Sequence, residues 1–179
     1  MAALSKKFNP PPVPTTEDIY AFCNAGKMND RVTVDKYLDQ FGANIIDERD
    51  NMRDNALTWA AWMGHAEMCA YLLERGAAVN AKGMTDRNAL GWAAQGGRAE
   101  CAKVLLAAGA DMNQPDAEGR SPLKIAQDAG RTDLAELMAR ETERRIEKAR
   151  LKREREEGIA LTAKRQAELR KRVPPKLKS

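Results

Sequence analysis

Residues 55–64 read Asn55-Ala56-Leu57-Thr58-Trp59-Ala60-Ala61-Trp62-Met63-Gly64, and 33 positions later residues 88–97 read Asn88-Ala89-Leu90-Gly91-Trp92-Ala93-Ala94-Gln95-Gly96-Gly97. The step holds outside this stretch. Pro122-Leu123 continues Ala56-Leu57 and Ala89-Leu90, and Gly130 continues Gly64 and Gly97. Leu72-Leu73 returns as Leu105-Leu106, Gly76-Ala77 as Gly109-Ala110, and Asn80 as Asn113. Agreement of so many positions at one spacing marks a repeat array, in which single units cannot bury their own apolar faces and must stack. Each unit alternates a small-residue helix, a Gly break, a second helix with a Leu-Leu ridge and a Gly stop. Ala60-Ala61 and Ala93-Ala94 let neighbouring first helices approach closely, while the leucines fill the layer between helix pairs. Gly76 and Gly109 suit the left-handed position that ends a helix, and Pro122 suits a first helical turn, where no N–H partner is lost.

These units resemble ankyrin repeats, whose pattern runs roughly D-x-x-G-x-T-P-L-H-x-A-A-x-x-G before a second helix closing L-L-x-x-G-A-x-x-N. The resemblance covers roughly residues 16–140 in about four units, 16–47, 48–80, 81–113 and 114–140. It implies an all-α solenoid of helix-turn-helix units, flanked by an extended segment at 1–15 and a charged helix with a basic tail at 141–179. The first unit is degenerate: Tyr20 to Gly26 reads as its first helix, Tyr37-Leu38 marks its second, and residues 27–30 separate the two. The family's Thr-Pro-Leu-His becomes Asn-Ala-Leu-Thr, Asn-Ala-Leu-Gly and Ser-Pro-Leu-Lys, so the ties between neighbouring turns that the His supplies are missing. Where the turn's Gly belongs, units two and three carry Arg53 and Asp86, so those tips are expected to be irregular.

Composition narrows the class. The chain has 179 residues, 43% hydrophobic and 31% charged, and only 5% aromatic, which leans toward helix and away from a β-sandwich. No apolar run approaches the ~18–20 residues of a membrane-spanning helix, and a soluble or peripheral protein is expected. Residues 1–14 carry Lys6 and Lys7 without an apolar stretch, unlike a secretory signal. Cys23, Cys69 and Cys101 are odd in number and widely spaced. That pattern fits free thiols in a reducing intracellular compartment, with the cytoplasm favoured and an organelle such as the mitochondrion as the alternative. Residues 1–139 hold 15 Lys+Arg against 19 Asp+Glu, net −4, whereas residues 140–179 hold 15 against 7, net +8. An acidic body therefore carries a basic tail.

Catalytic chemistry has no footing in this pattern. The single histidine, His65, follows Gly64 where the ankyrin pattern itself commonly carries His, and a capping or packing role is expected. There is no metal-ligand spacing, no phosphate-binding Gly loop and no Ser-His-Asp arrangement, so neither enzyme activity nor a cofactor is expected. Cys69 and Cys101 fall on second helices, where a small apolar Cys packs.

The resemblance implies a protein-binding module with its site on the concave face and turn tips. Trp59 and Trp92 occupy the position after the pattern's His, where a large apolar residue contributes to stacking or anchors at the surface. Trp62 and Met63 occupy two variable positions that the family turns toward its binding surface, and their counterparts Gln95-Gly96 and Asp128-Ala129 are small or polar. An aromatic residue beside a Met in a groove has the composition of an interface hot spot. The groove edge is expected at Asn51, Met52, Arg53 and Asp54, then Met84, Thr85 and Arg87, then Ala117, Glu118 and Arg120. Trp62 and Met63 would anchor a partner, flanked by Met52, Met84 and Gln95, with Arg53, Arg87 and Arg120 as directional donors.

The tail has helix-favouring composition, and Glu141–Arg145 makes a favourable i,i+4 pair. Gly158 is expected to interrupt the helix. Its apolar positions sustain no heptad, so self-association through a coiled coil is not expected. Lys164, Arg165, Arg170, Lys171, Arg172, Lys176 and Lys178 form a basic end suited to an acidic protein surface, RNA phosphates or anionic lipid heads. The expectation is an accessory or structural subunit of a larger assembly that docks by its ankyrin face and is held a second time by its tail. The rivals are a ribonucleoprotein component docked through the tail and a reversible inhibitor of an enzyme.

Overall fold

A computed structural model describes residues 12–172. Among them the chain forms eight α-helices and no strand. They are α1 (Thr16–Met28), α2 (Arg31–Phe41), α3 (Ala56–Met63), α4 (Ala66–Glu74), α5 (Ala89–Gly96), α6 (Ala99–Ala107), α7 (Pro122–Asp128) and α8 (Thr132–Arg172). The chain divides into two compact units, residues 1–138 and residues 139–179.

In the first unit the helices stack pairwise in chain order. α1, α3, α5 and α7 form one layer, and α4 packs beside α6 in a second. The alanines set the spacing of the first layer. Ala56, Ala60, Ala61, Ala89, Ala93, Ala94 and Ala126 are essentially inaccessible. Between α1 and α3 even a methyl group is too much. A Cβ on Gly26 would lie 2.6 Å from the carbonyl oxygen of Ala56. The second layer is filled by larger side chains at the same 33-residue step, Leu72, Leu105 and Met138, each fully buried and worth about 1.5–3 kcal/mol of burial.

Each first helix begins on a side-chain cap. Thr15, Asn55, Asn88 and Ser121 accept from the backbone N–H groups of Asp18, Thr58, Gly91 and Lys124. Asn therefore replaces the family's Thr as a buried cap. His65 opens α4 without capping it and instead donates through Nε2 to the carbonyl of Lys27 at 3.0 Å, joining the first two repeats. The missing turn ties are replaced by Asp and Asn reaching across repeats. Asp47 accepts from the N–H of Ala78, Asn80 from that of Asp111, and Asn88 donates to Gln114 at 2.8 Å.

Two sequence expectations change. Residues 27–30 are not a four-residue spacer, because α1 continues through Met28 and ends on Asn29 in the left-handed conformation. Gly158 does not break the C-terminal helix, since α8 runs unbroken to Arg172. One interior glycine costs about 1 kcal/mol, and the Glu, Ala and Leu residues around it are strong helix formers. In the second unit Glu141 accepts from Arg144 and Arg145, which hold its carboxyl down to about 2, and Arg150–Glu154 and Lys152–Glu156 pair as well.

Candidate protein-binding site

The turn tips precede α3, α5 and α7 and share one backbone closure. The N–H of Asp50, Gly83 and Asp116 donates to the carbonyl of Asp54, Arg87 and Arg120 at 2.8–3.0 Å. The residue before each closure's end is left-handed in all three: Arg53 at φ 66°, Asp86 at 56° and Gly119 at 75°. Only the last is a glycine. Unit three adds a second left-handed residue, Thr85, inside a short 3₁₀ turn. Of the two tips flagged as irregular, only this one departs in its backbone, and unit two keeps the common closure with Arg53 in the left-handed position.

Asp50 and Asp116 organise their tips alike. Asp50 Oδ1 accepts from the N–H groups of Met52 and Asp54, and Asp116 Oδ1 from those of Glu118 and Arg120. Their second oxygens differ in use. Asp50 Oδ2 takes the Trp59 indole N–H at 2.8 Å, while Asp116 Oδ2 takes Arg87 at 2.9 Å and Arg120 at 3.0 Å. Burial pushes the Asp116 carboxyl up, but the hydrogen bonds from Arg87 and Arg120 outweigh it and hold that carboxyl well below the ordinary range.

Unit three has no such carboxylate, because Gly83 stands in its place. Asp54 fills the gap from the repeat before. Its Oδ1 accepts from the N–H of Met84 at 3.1 Å, and a Cβ on Gly83 would lie only 2.0 Å from that oxygen. Two consequences follow at one spot. Trp92, the counterpart of Trp59, loses the acceptor its indole N–H would have had. That N–H is buried and turns toward Asp54 without closing a hydrogen bond of normal geometry. Asp54 is itself 4% exposed, and burial raises its carboxyl above the usual value despite the Met84 N–H.

A pocket of about 170 Å³ opens here, lined by Asp54, Thr58, Trp59, Trp62, Met84 and Trp92. Trp59 and Trp62 stand on one face of α3, three residues apart. Trp62 meets Trp92 of α5 edge-on, with ring centroids 5.2 Å apart. The rings already attract cations: the Lys27 ammonium lies 4.5 Å from the Trp59 centroid, and the Arg87 guanidinium 4.7 Å from that of Trp92.

The structure sorts the expected contact residues. Met52 and Arg53 are exposed, Trp62, Met63, Met84 and Gln95 half-buried. Arg87 is a correction. Expected at an exposed tip, it is 6% exposed, ion-paired with Asp116 and donating to Gln95 Oε1. A guanidinium next to a tip lacking its own carboxylate has to reach forward to the next, and burial then requires the pair. Arg120 is partly open, but it is engaged by Asp116 and Glu118. Lys164 and Arg165 are exposed on α8. Arg170, Lys171 and Arg172 belong to its final turn; their side chains, and Lys176 and Lys178 entirely, lie outside the described residues. Thr58 joins the site without having been singled out, while Asp54 had been expected only at the groove edge and Trp92 as a stacking or anchoring residue. The signal for them was the column Asp50, Gly83, Asp116, where the middle acid is missing.

Cys23, Cys69 and Cys101 are free and buried, as expected of packing thiols. Among the described residues no group of acids, histidine and cysteines could hold a metal ion, and no helix is long and apolar enough to cross a membrane. A family model of ankyrin repeats in three copies matches residues 80–149, and a single ankyrin repeat matches residues 53–84. No curated protein matches the chain. The repeat step, the paired helices and the family match over residues 53–149 agree: this chain belongs to the ankyrin repeat family, a fold of protein–protein interaction.

Proposed function

We propose that the chain is an accessory, structural subunit of a multiprotein assembly, docked through the face formed by its first helices and turn tips. The observation that supports this most is the Trp59–Trp62–Trp92 cluster. Three large aromatics gather on one surface of a domain whose interior spacing is otherwise set by alanine. Buried aromatic anchors in rigid pockets carry most of the energy in protein interfaces, and a stacked scaffold loses little ordering entropy on docking. Met52, Met63 and Arg53 would add adaptable contacts to that anchor, and Arg87, stacked on Trp92 and donating to Gln95, fixes that ring from inside. The basic residues of α8, Lys164 and Arg165 among them, supply a second attachment that raises affinity through effective concentration.

Native pull-down with mass spectrometry tests this. Trp62→Ala is expected to lose one stoichiometric set of proteins, and Lys164→Glu with Arg165→Glu to weaken the same set without abolishing it. Retention of all partners by Trp62→Ala refutes the docking face. Loss of co-purifying RNA with the tail variant alone makes the tail the primary site instead.

A further inference from the structure

The pocket at Asp54 has a chemistry narrower than a general docking groove. Its walls are three tryptophan rings, a methionine and Thr58, and its one charged lining residue, Asp54, makes no salt bridge among the described residues. Asp54 accepts the N–H of Met84, with the Thr58 hydroxyl and the Trp92 indole N–H turned toward it, and a neighbouring acid, Asp50, disfavours its charge. The two cations close by are committed elsewhere: Arg87 is neutralised by Asp116, and Lys27 sits on Trp59. Such a site favours a positive charge that brings no hydrogen-bond donors of its own. An unmodified lysine ammonium arrives with three N–H groups and a strong hydration shell, and the pocket offers a single carboxylate to replace it. A guanidinium brings five donors and fares worse. Methylation removes the donors, loosens the water and leaves the charge, and aromatic faces then attract it.

We propose that this pocket holds the methylated ammonium of a lysine side chain on a protein partner, with Trp59, Trp62 and Trp92 as walls and Asp54 as counter-charge. The proposal rests on the protein-docking reading above and names the group by which the partner is read.

The chain's three tryptophans all line this pocket, so intrinsic fluorescence of the full-length protein reports occupancy without background. The probes are a blocked alanine peptide with one trimethyllysine, the same peptide with unmodified lysine, and the same peptide with a neutral tert-butyl carbon in place of the charged nitrogen. Tetramethylammonium chloride is the fourth. Saturable binding of the trimethyllysine peptide is expected, about tenfold tighter than either peptide control. Asp54→Asn, checked for folding by its thermal melt, should remove that preference over the neutral peptide while leaving the neutral peptide's affinity unchanged. Trp62→Phe, which keeps a ring, should weaken the charged peptide several-fold without abolishing it. Equal affinity for the neutral peptide overturns the proposal, as does absence of a saturable response. Tetramethylammonium binding as tightly as the peptide overturns the commitment to a protein side chain. If Trp62→Ala loses its partners in the pull-down while no peptide binds, only this proposal fails; if Trp62→Ala keeps them, the docking reading beneath it fails.

Discussion

Asp54, Arg87 and Arg120 stand 33 residues apart, each at the end of a turn tip, and each sends its charge somewhere different. Asp54 and Arg87 reach forward into the next tip, while Arg120, with no further tip in the described array, folds back onto Asp116 and Glu118. Asp116 is thus the acceptor for two guanidinium groups. Asp116→Ala should cost about 3 kcal/mol in urea unfolding, because it strands Arg87 in the interior without a counter-charge. The pH dependence has a fixed sign. The folded carboxyl is held below its ordinary value of 3.8, so its contribution is present above that pH and disappears as the pH falls through the folded value. Asp116→Asn should therefore lose less stability than the wild type on acidification from pH 7. Asp54 has the opposite slope, since its carboxyl is raised and ionising it works against folding. At Arg53 the left-handed backbone is occupied by a side chain that disfavours it, and Arg53→Gly should raise stability by roughly 0.5–1 kcal/mol in thermal melts.

Helices and their spacing were largely written in the repeat step, and the reason is physical. Ala, Leu and Gly recur because close helix approach, layer filling and left-handed stops each accept few residue types. Gly26 shows how tight the tolerance is. Gly26→Ala would drive a methyl into the Ala56 backbone, and a loss of about 1–3 kcal/mol is expected, read as a lower urea midpoint with unchanged slope. The tips were less legible. Arg87 has the composition of a surface residue, and nothing local marks it as buried; only the acid 29 positions later draws it in. The pocket was hidden for a related reason. It depends on an absence, Gly83, whose effect appears once Asp54 of the preceding unit is placed against it. Gly158 misled in the other direction, because an interior glycine in a strongly helical context bends the odds without breaking the helix.

At the scale of the whole molecule, the repeat body has its thiols sealed inside. Burial pushes the Cys23 thiol up to about 12, and the contact between Cys69 and Cys101 raises the first and lowers the second. Because all three are at most 1% exposed, they should resist a thiol reagent at neutral pH and react in one phase, at the rate at which the repeat body opens, which stopped-flow labelling against unfolding kinetics would check. The forward ties also decide how such an array can grow. Copying unit three beside itself would set Arg87 against a second Gly83, with no acid to receive it. Deleting unit three would bring Asp54 against Asp116, two carboxylates at one joint. The units look like interchangeable bricks in their helices, yet at their tips they are keyed, and the chain carries its own assembly order as a lock carries its pins.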